Sequence, residues 1–344
     1  MFEASRAQIY KIKNHKVEKK IMMKNQKCSI CKGNKLRTIG YKNKWSALFN
    51  NKKILVCNEC GFGQIEPKIE PKLILDFYKD VYRSKGSPHY VDFSKNLPNQ
   101  YFYRSKSISQ FLLGIQYLEY KKEYNFLDIG AGLGKSFTTA NEIFNGHVNL
   151  HAIEEDKRAK QFYQKNFQDV VISSSISEFN DIMDIVLMSH SLEHFDIEDM
   201  NELFKKIYTA MVKNGIAIIE IPHADFRDEE YEKNRPKDTP HLSFFSLDSF
   251  RKLLESLDFE ICFIDTAGIL IEEMHSPNIS QNKRVKSVAK KLMYRLGLLQ
   301  NFVRIKQNLS LKFRSIIGKE YFYKHVNFQY KGNRSVLRCI LRKK

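Results

Sequence analysis

What this chain lacks excludes several classes of protein at once. No apolar run approaches the ~20 residues of a membrane-spanning helix, and the first thirty residues hold lysines and polar groups without the apolar centre of a secretory signal. A cytoplasmic protein is therefore expected. Acid is scarce, with 39 Asp and Glu against 57 Lys and Arg, giving a formal net charge of +18. The deficit is sharpest between Lys283 and Lys319, where eleven basic residues and no acid are mixed with Leu, Ile, Val and Phe. That stretch reads as amphipathic helices, suited to anionic lipid, a phosphate-bearing substrate or RNA, or simply to solvent.

What is present points to a packed enzyme-sized domain. The 344 residues are 42% hydrophobic and 12% aromatic, enough for a domain of about 200 residues with additions at either end. The most informative stretch is NFLDIGAGLGKS, Asn125 to Ser136. Phe126, Leu127 and Ile129 suit a strand covered on both faces. Gly130, Gly132 and Gly134 then let the backbone turn sharply and approach a ligand, and a helix starting near Lys135 would aim its free N–H groups there. Two cofactor loops are excluded by spacing. A Walker loop needs glycine where Ile129 stands, and the dinucleotide fingerprint needs its third glycine where Lys135 stands.

An acid followed two residues on by alternating glycines, here Asp128 with Gly130, Ala131, Gly132 and Gly134, resembles the first motif of the Rossmann-like S-adenosylmethionine-dependent methyltransferases. An acid suits the ammonium and the cationic sulfur of that cofactor, and would repel a pyrophosphate. The order of elements extends the resemblance. Leu150 to Asp156 reads as a second strand with Glu154 at its carboxyl end, placed to accept both ribose hydroxyls. Glu155 or Asp156 would serve if the strand ends later. A third strand leads to a turn at Ser174 to Ser177, where related enzymes lay the adenine, so Ser175 and Ile176 are candidate contacts. Asp184 to His194 gives a fourth strand, with Ser189 near its end. A helix over 198–213, stopped by Asn214-Gly215, precedes a fifth strand, GIAIIEIPH. Ser246 is a candidate N-cap for the next helix. EICFIDTAG and the alternating SVLRCILRKK would be the last two strands. The resemblance implies an α/β fold: a Rossmann-like seven-stranded, mostly parallel sheet with its last strand antiparallel.

Cysteine spacing gives the second signal. Cys28 and Cys31 form one C-x-x-C pair, and Cys57 and Cys60 form another, with Gly33 and Gly61 nearby for tight turns. Four thiolates at tetrahedral reach read as a structural zinc site that replaces a core in a small module. Cys262 and Cys339 fall in predicted strands and read as core thiols. The expected layout is a basic leader (1–24), a zinc-binding module (25–67), a helical connector rich in tyrosine (68–122), the methyltransferase core (123–274), a basic helical insert (275–330) and the last strand (331–344). The leader is expected to precede the true start at Met22 or Met23.

Such a module, connector and core resemble a bacterial group tied to sugar and polysaccharide modification. The fuller sugar C-methyltransferases carry another large carboxyl-terminal domain; this chain is expected to end too soon for it, which counts against C-methylation of a deoxysugar. A hydroxyl or amine of a sugar, nucleotide sugar or surface-glycan precursor is the expected acceptor. A hydroxyl must lose its proton, and histidine is the usual group for that near neutral pH. His194 in SHSLEHF is the first candidate, with Glu193 orienting it; His190, His223 and His241 follow. Tyr78, Tyr82, Tyr90, Tyr101 and Tyr103 are candidates to line the acceptor pocket. RNA methylation through the zinc module and basic insert is the alternative, although no Asn-Pro-Pro-Tyr sequence is present. A cofactor-binding scaffold is a third.

Overall fold

The computed structural model describes residues 26–41, 43, 46–91, 101–235, 239–271, 330 and 332–344. The basic leader and, Tyr330 apart, the basic insert lie outside the described residues, as do the side chains of Tyr101 and Tyr103. Three short strands come first: β1 (Leu36–Gly40), β2 (Lys53–Cys57) and β3 (Gly63–Glu66). The connector supplies α1 (Pro71–Asp76) and α2 (Tyr101–Gly114). The chain then alternates through β4 (Tyr124–Ile129), α3 (Lys135–Ile143), β5 (Val148–Ile153), α4 (Lys157–Asn166), β6 (Val170–Ser173), β7 (Met183–Ser189), α5 (Ile197–Ala210) and β8 (Met211–Pro222). It ends with α6 (Glu229–Asn234), β9 (Ser243–Phe244), α7 (Leu247–Glu255), β10 (Glu260–Leu270) and β11 (Arg334–Arg342).

Seven strands form one sheet in the order β10-β11-β8-β7-β4-β5-β6. The strands from β4 to β8 run parallel, and β11 lies antiparallel between β8 and β10. This is the expected mostly parallel Rossmann-like sheet. Its central strands are mostly apolar on both faces because both are covered. Phe126, Ile185 and Ile218 face one side with Phe111 of α2 and Phe137 of α3, while Leu127, Val186 and Ile219 face the other with Phe204 of α5 and Phe250 of α7. Period-two alternation thus feeds two cores, and the carboxyl ends of β4, β5 and β7 converge on one edge.

One expectation is corrected. The helix over 198–213 ends at Ala210, because Met211 is already extended (φ −79°, ψ 145°) and pairs with Met183. The Asn214-Gly215 turn falls instead in an irregularity of β8, where a Cβ on Gly215 would lie 2.9 Å from the Val212 carbonyl oxygen. Strand pairing overrides the helical period there. The last strand is antiparallel as expected, and Val336 through Leu341 are all buried because β11 is an interior strand.

The cysteine module does not stand apart. Its strands accept β9 from the core, with Gly63 opposite Phe244 and Gln64 opposite Ser243, making a four-stranded antiparallel sheet. Ser246, whose hydroxyl caps α7 as expected, also donates to the Cys60 carbonyl at 2.6 Å. Cys28, Cys57, Cys60 and Phe62 share an apolar cluster with Phe245 and Leu337. Among the described residues, no helix is long and apolar enough to cross a membrane.

Candidate active site

The loop after β4 is shaped by its glycines. Gly130, Gly132 and Gly134 take φ of 77°, 61° and 64°, with Ala131 between the first two. A Cβ at Gly130 would stand 2.8 Å from the Cβ of Ser191, so β7's exit and the loop pack backbone to side chain. The loop is tied down by three bonds. Gly130 donates its N–H to the Ile153 carbonyl (2.8 Å), Tyr163 donates to the Gly132 carbonyl (2.7 Å), and Ser191 donates to the Ile129 carbonyl (2.9 Å). Asp128 is buried beneath and accepts from the Ser136 hydroxyl. Burial pushes its carboxyl up to about 7, the Glu154 charge adding to the effect and Ser136 opposing it. A ligand ammonium is the chemistry that would favour the charged form.

Glu154, at the carboxyl end of β5, accepts the Gly132 N–H at 2.8 Å through one oxygen and the N–H groups of Glu155 and Asp156 at 2.9 and 3.0 Å through the other. Asp156 is the N-cap of α4. Arg83, from the connector, stands 3.5 Å from the Glu154 carboxylate and 3.8 Å from that of Asp156. Ser175 caps a short turn whose Ile176 is buried, and Glu178 gathers the N–H groups of Ser174 and Ser175. Gly130, Glu154, Glu155, Ser175 and Ile176 border one cavity of about 570 Å³, together with Tyr78, Tyr82 and Arg83. Ser189 is not on that wall; its hydroxyl accepts from the Gln110 amide at 2.9 Å. Tyr90 is exposed.

Beyond β7 the chain turns at His190, held at φ 57° with its N–H on the Glu220 carbonyl. Glu220 is wholly buried between Lys106 (2.9 Å) and Arg338 (2.5 Å). Burial alone would raise its carboxyl, but Lys106 and Arg338 outweigh burial and hold it well below the ordinary range. Glu193 contrasts with it. Both of its carboxylate oxygens are buried without a hydrogen-bond partner, 3.7 Å from His190 Nδ1 and 3.8 Å from His241 Nε2. Burial pushes this carboxyl up to about 8.

His194 is oriented by the connector. Tyr78 donates its one proton to the Pro240 carbonyl at 2.6 Å, so its oxygen is left to accept from His194 Nδ1, also at 2.6 Å. The imidazole is thereby fixed with its proton on Nδ1 and its lone pair on Nε2. Burial lowers its pKa to about 3, and that of His241 also falls well below the ordinary value. His190, Glu193, His223 and His241 border a second cavity of about 330 Å³, closed on one side by Tyr41 and Ile54 of the cysteine module. The two cavities share His190. His223 donates Nδ1–H to the Arg334 carbonyl at 2.8 Å.

The four expected cysteines come together, their sulfurs all within 4.8 Å of one another and paired Cys28–Cys60 and Cys31–Cys57 at 3.6 Å. Sequence reasoning missed Arg83, the Tyr78–His194 contact and the Lys106–Glu220–Arg338 set. One signal was present: a lone acid in GIAIIEIPH, Glu220, and an arginine inside SVLRCILR, Arg338, which prove to be register partners.

Residues 99–262 match the family described as the methyltransferase domain. The chain carries a methyltransferase domain. No curated protein sequence matches this chain significantly. Among solved structures it is similar to the cyclopropane synthase MmaA2 from Mycobacterium tuberculosis (13% identity, covering 78% of this chain and 93% of that one, TM-score 0.46). It is also similar to a SAM-dependent methyltransferase from Archaeoglobus fulgidus (18%, 70% and 94%, 0.41) and to phosphoethanolamine N-methyltransferase 2 from Haemonchus contortus (14%, 90% and 69%, 0.43).

Proposed function

We propose that this methyltransferase acts in the cytoplasm on a hydroxyl or amine of a sugar, nucleotide sugar or surface-glycan precursor. The observation that carries the reading is the aromatic-sided cavity of about 330 Å³ that meets the cofactor loop's cavity at His190. Its volume is at the small end for ligand pockets and suits one sugar ring better than a length of polynucleotide. Tyr41, Tyr231 and Phe244 offer faces on which such a ring can pack.

When bound, S-adenosylmethionine supplies a methyl group on a positively charged sulfur. Asp128 would take its ammonium and Glu154 its ribose hydroxyls, with Arg83 sharing that carboxylate. Ser175 and Ile176 border the adenine end. Among Glu193, His190, His194, His223 and His241, His194 stands first as the group that makes the acceptor oxygen nucleophilic, because Tyr78 and Pro240 leave its Nε2 lone pair uncommitted. The rest of the rate enhancement is alignment of acceptor and methyl group. A structural zinc ion fits the cysteine site: thiolates about 2.3 Å from zinc stand about 3.8 Å apart, close to the spacing seen.

The reading is tested by incubating the purified chain with labelled S-adenosylmethionine and fractionated lysate. Label should enter sugar nucleotides or glycan precursors. Label in RNA would overturn the acceptor class.

A further inference from the structure

We infer that Glu193, His194 and His241 form a binding site for a divalent transition-metal cation, set between the two cavities, whose open positions hold the acceptor's oxygen. The inference deepens the proposed function and rests on it for the identity of the acceptor; the cation itself is argued from side-chain geometry.

Three observations carry it. One donor atom from each residue lies within 4.8 Å of the others. Ligands of one ion at about 2.1 Å stand roughly 3.0–3.5 Å apart, so small side-chain rotations complete the set. Next, Glu193 is 2% exposed and neither of its carboxylate oxygens has a hydrogen-bond partner, although His190 and His241 direct ring nitrogens at it from 3.7 and 3.8 Å. A buried carboxylate normally finds donors or a cation. Finally, His194 is braced as a ligating histidine is, its Nδ1–H held by the Tyr78 oxygen and the nearby Pro240 carbonyl while Nε2 keeps its lone pair.

The donor set identifies the class of ion. Two imidazoles and one carboxylate suit zinc, manganese, iron, cobalt or nickel, whereas magnesium and calcium prefer oxygen throughout. Three protein ligands also leave room for a further oxygen, which is the arrangement of a working metal rather than a structural one. The four-cysteine cluster is the opposite case, with four thiols and no position to spare. Because the cation polarises the acceptor hydroxyl, the Nε2 lone pair of His194 acts through the metal.

The test counts metal. The full-length protein, supplied separately with zinc, manganese and cobalt, is measured for metal per chain by elemental analysis, and its cofactor binding by calorimetry. About two equivalents are expected in the unaltered protein and about one in the Glu193→Gln, His241→Ala double variant. In the cobalt form, intense thiolate-to-metal charge transfer should persist in that variant while the weaker bands of the nitrogen and oxygen site vanish. Tyr78→Phe, which leaves all three ligands in place, should weaken the second metal about 10–100-fold without touching the first, and serves if the double variant does not fold. A single equivalent for every metal supplied, with methyl transfer intact, overturns the inference and leaves the proposed function standing. Two equivalents without any cofactor heat would do the reverse.

Discussion

The cofactor side of the cleft is laid down mostly by neighbours in sequence, from Asp128 through the glycines to Glu154; apart from Ser191, which reaches back 62 positions to Ile129, the loop's hydrogen bonds close within 31 positions, as between Tyr163 and Gly132. The histidine side is gathered from afar: Tyr78 reaches His194 across 116 positions, and Tyr41 reaches the His241 carbonyl across 200. One side is a local turn whose conformation the glycines dictate. The other exists only once the cysteine module, the connector and three strand ends have docked. The two should therefore fail separately when perturbed.

The largest effect is expected at His194. His194→Ala should lower kcat by about 10²–10⁴-fold, the usual range for removing a group that handles the acceptor's proton. The dissociation constant for S-adenosylmethionine, read by calorimetry, should stay within about twofold, since no bond joins His194 to the glycine loop. Equal loss of both would erase the division drawn here.

The complementary change is smaller. At Gly130 a side chain must adopt φ 77° and place its Cβ 2.8 Å from that of Ser191. A left-handed residue costs about 1–3 kcal/mol before the clash is counted. Gly130→Ala should thus weaken cofactor binding at least tenfold while leaving the circular-dichroism and metal content of the cysteine module unchanged. Unaltered affinity would show that the loop's shape does not set binding.

The same contrast explains what the sequence disclosed. Strand runs such as FLDI and DIVLM are legible because burial on both faces demands continuous apolar residues, and the C-x-x-C pairs are legible because chelation fixes spacing. Asp128, Glu154 and the positive-φ glycines could be placed from local pattern alone. Arg83 could not, because nothing near it in the chain signals that it will face Glu154 and Asp156 across the loop. Nor could the role of Tyr78, whose value lies in a carbonyl at Pro240. The helix end was misplaced for a related reason, as the pull of Met183 on Met211 is a pairing between distant strands.

Asp128 sharpens the comparison through pH. Burial raises its carboxyl from 3.8 to about 7, so in the ligand-free protein the neutral form is favoured. The sign follows. Stability from this group is full below the unfolded carboxylate's pKa and is lost as pH rises through the folded value near 7. The cofactor's ammonium requires the charged form, so affinity moves the other way, weakening by up to about tenfold for each pH unit below 7 and levelling above it. Calorimetry between pH 5.5 and 8 should trace that slope, and Asp128→Asn should flatten it. His194, neutral down to about 3, adds nothing to the slope over this range. A pH-dependent affinity that survives in His194→Ala and disappears in Asp128→Asn assigns the titration to the glycine-loop side, whereas a slope that survives in Asp128→Asn means another group carries it.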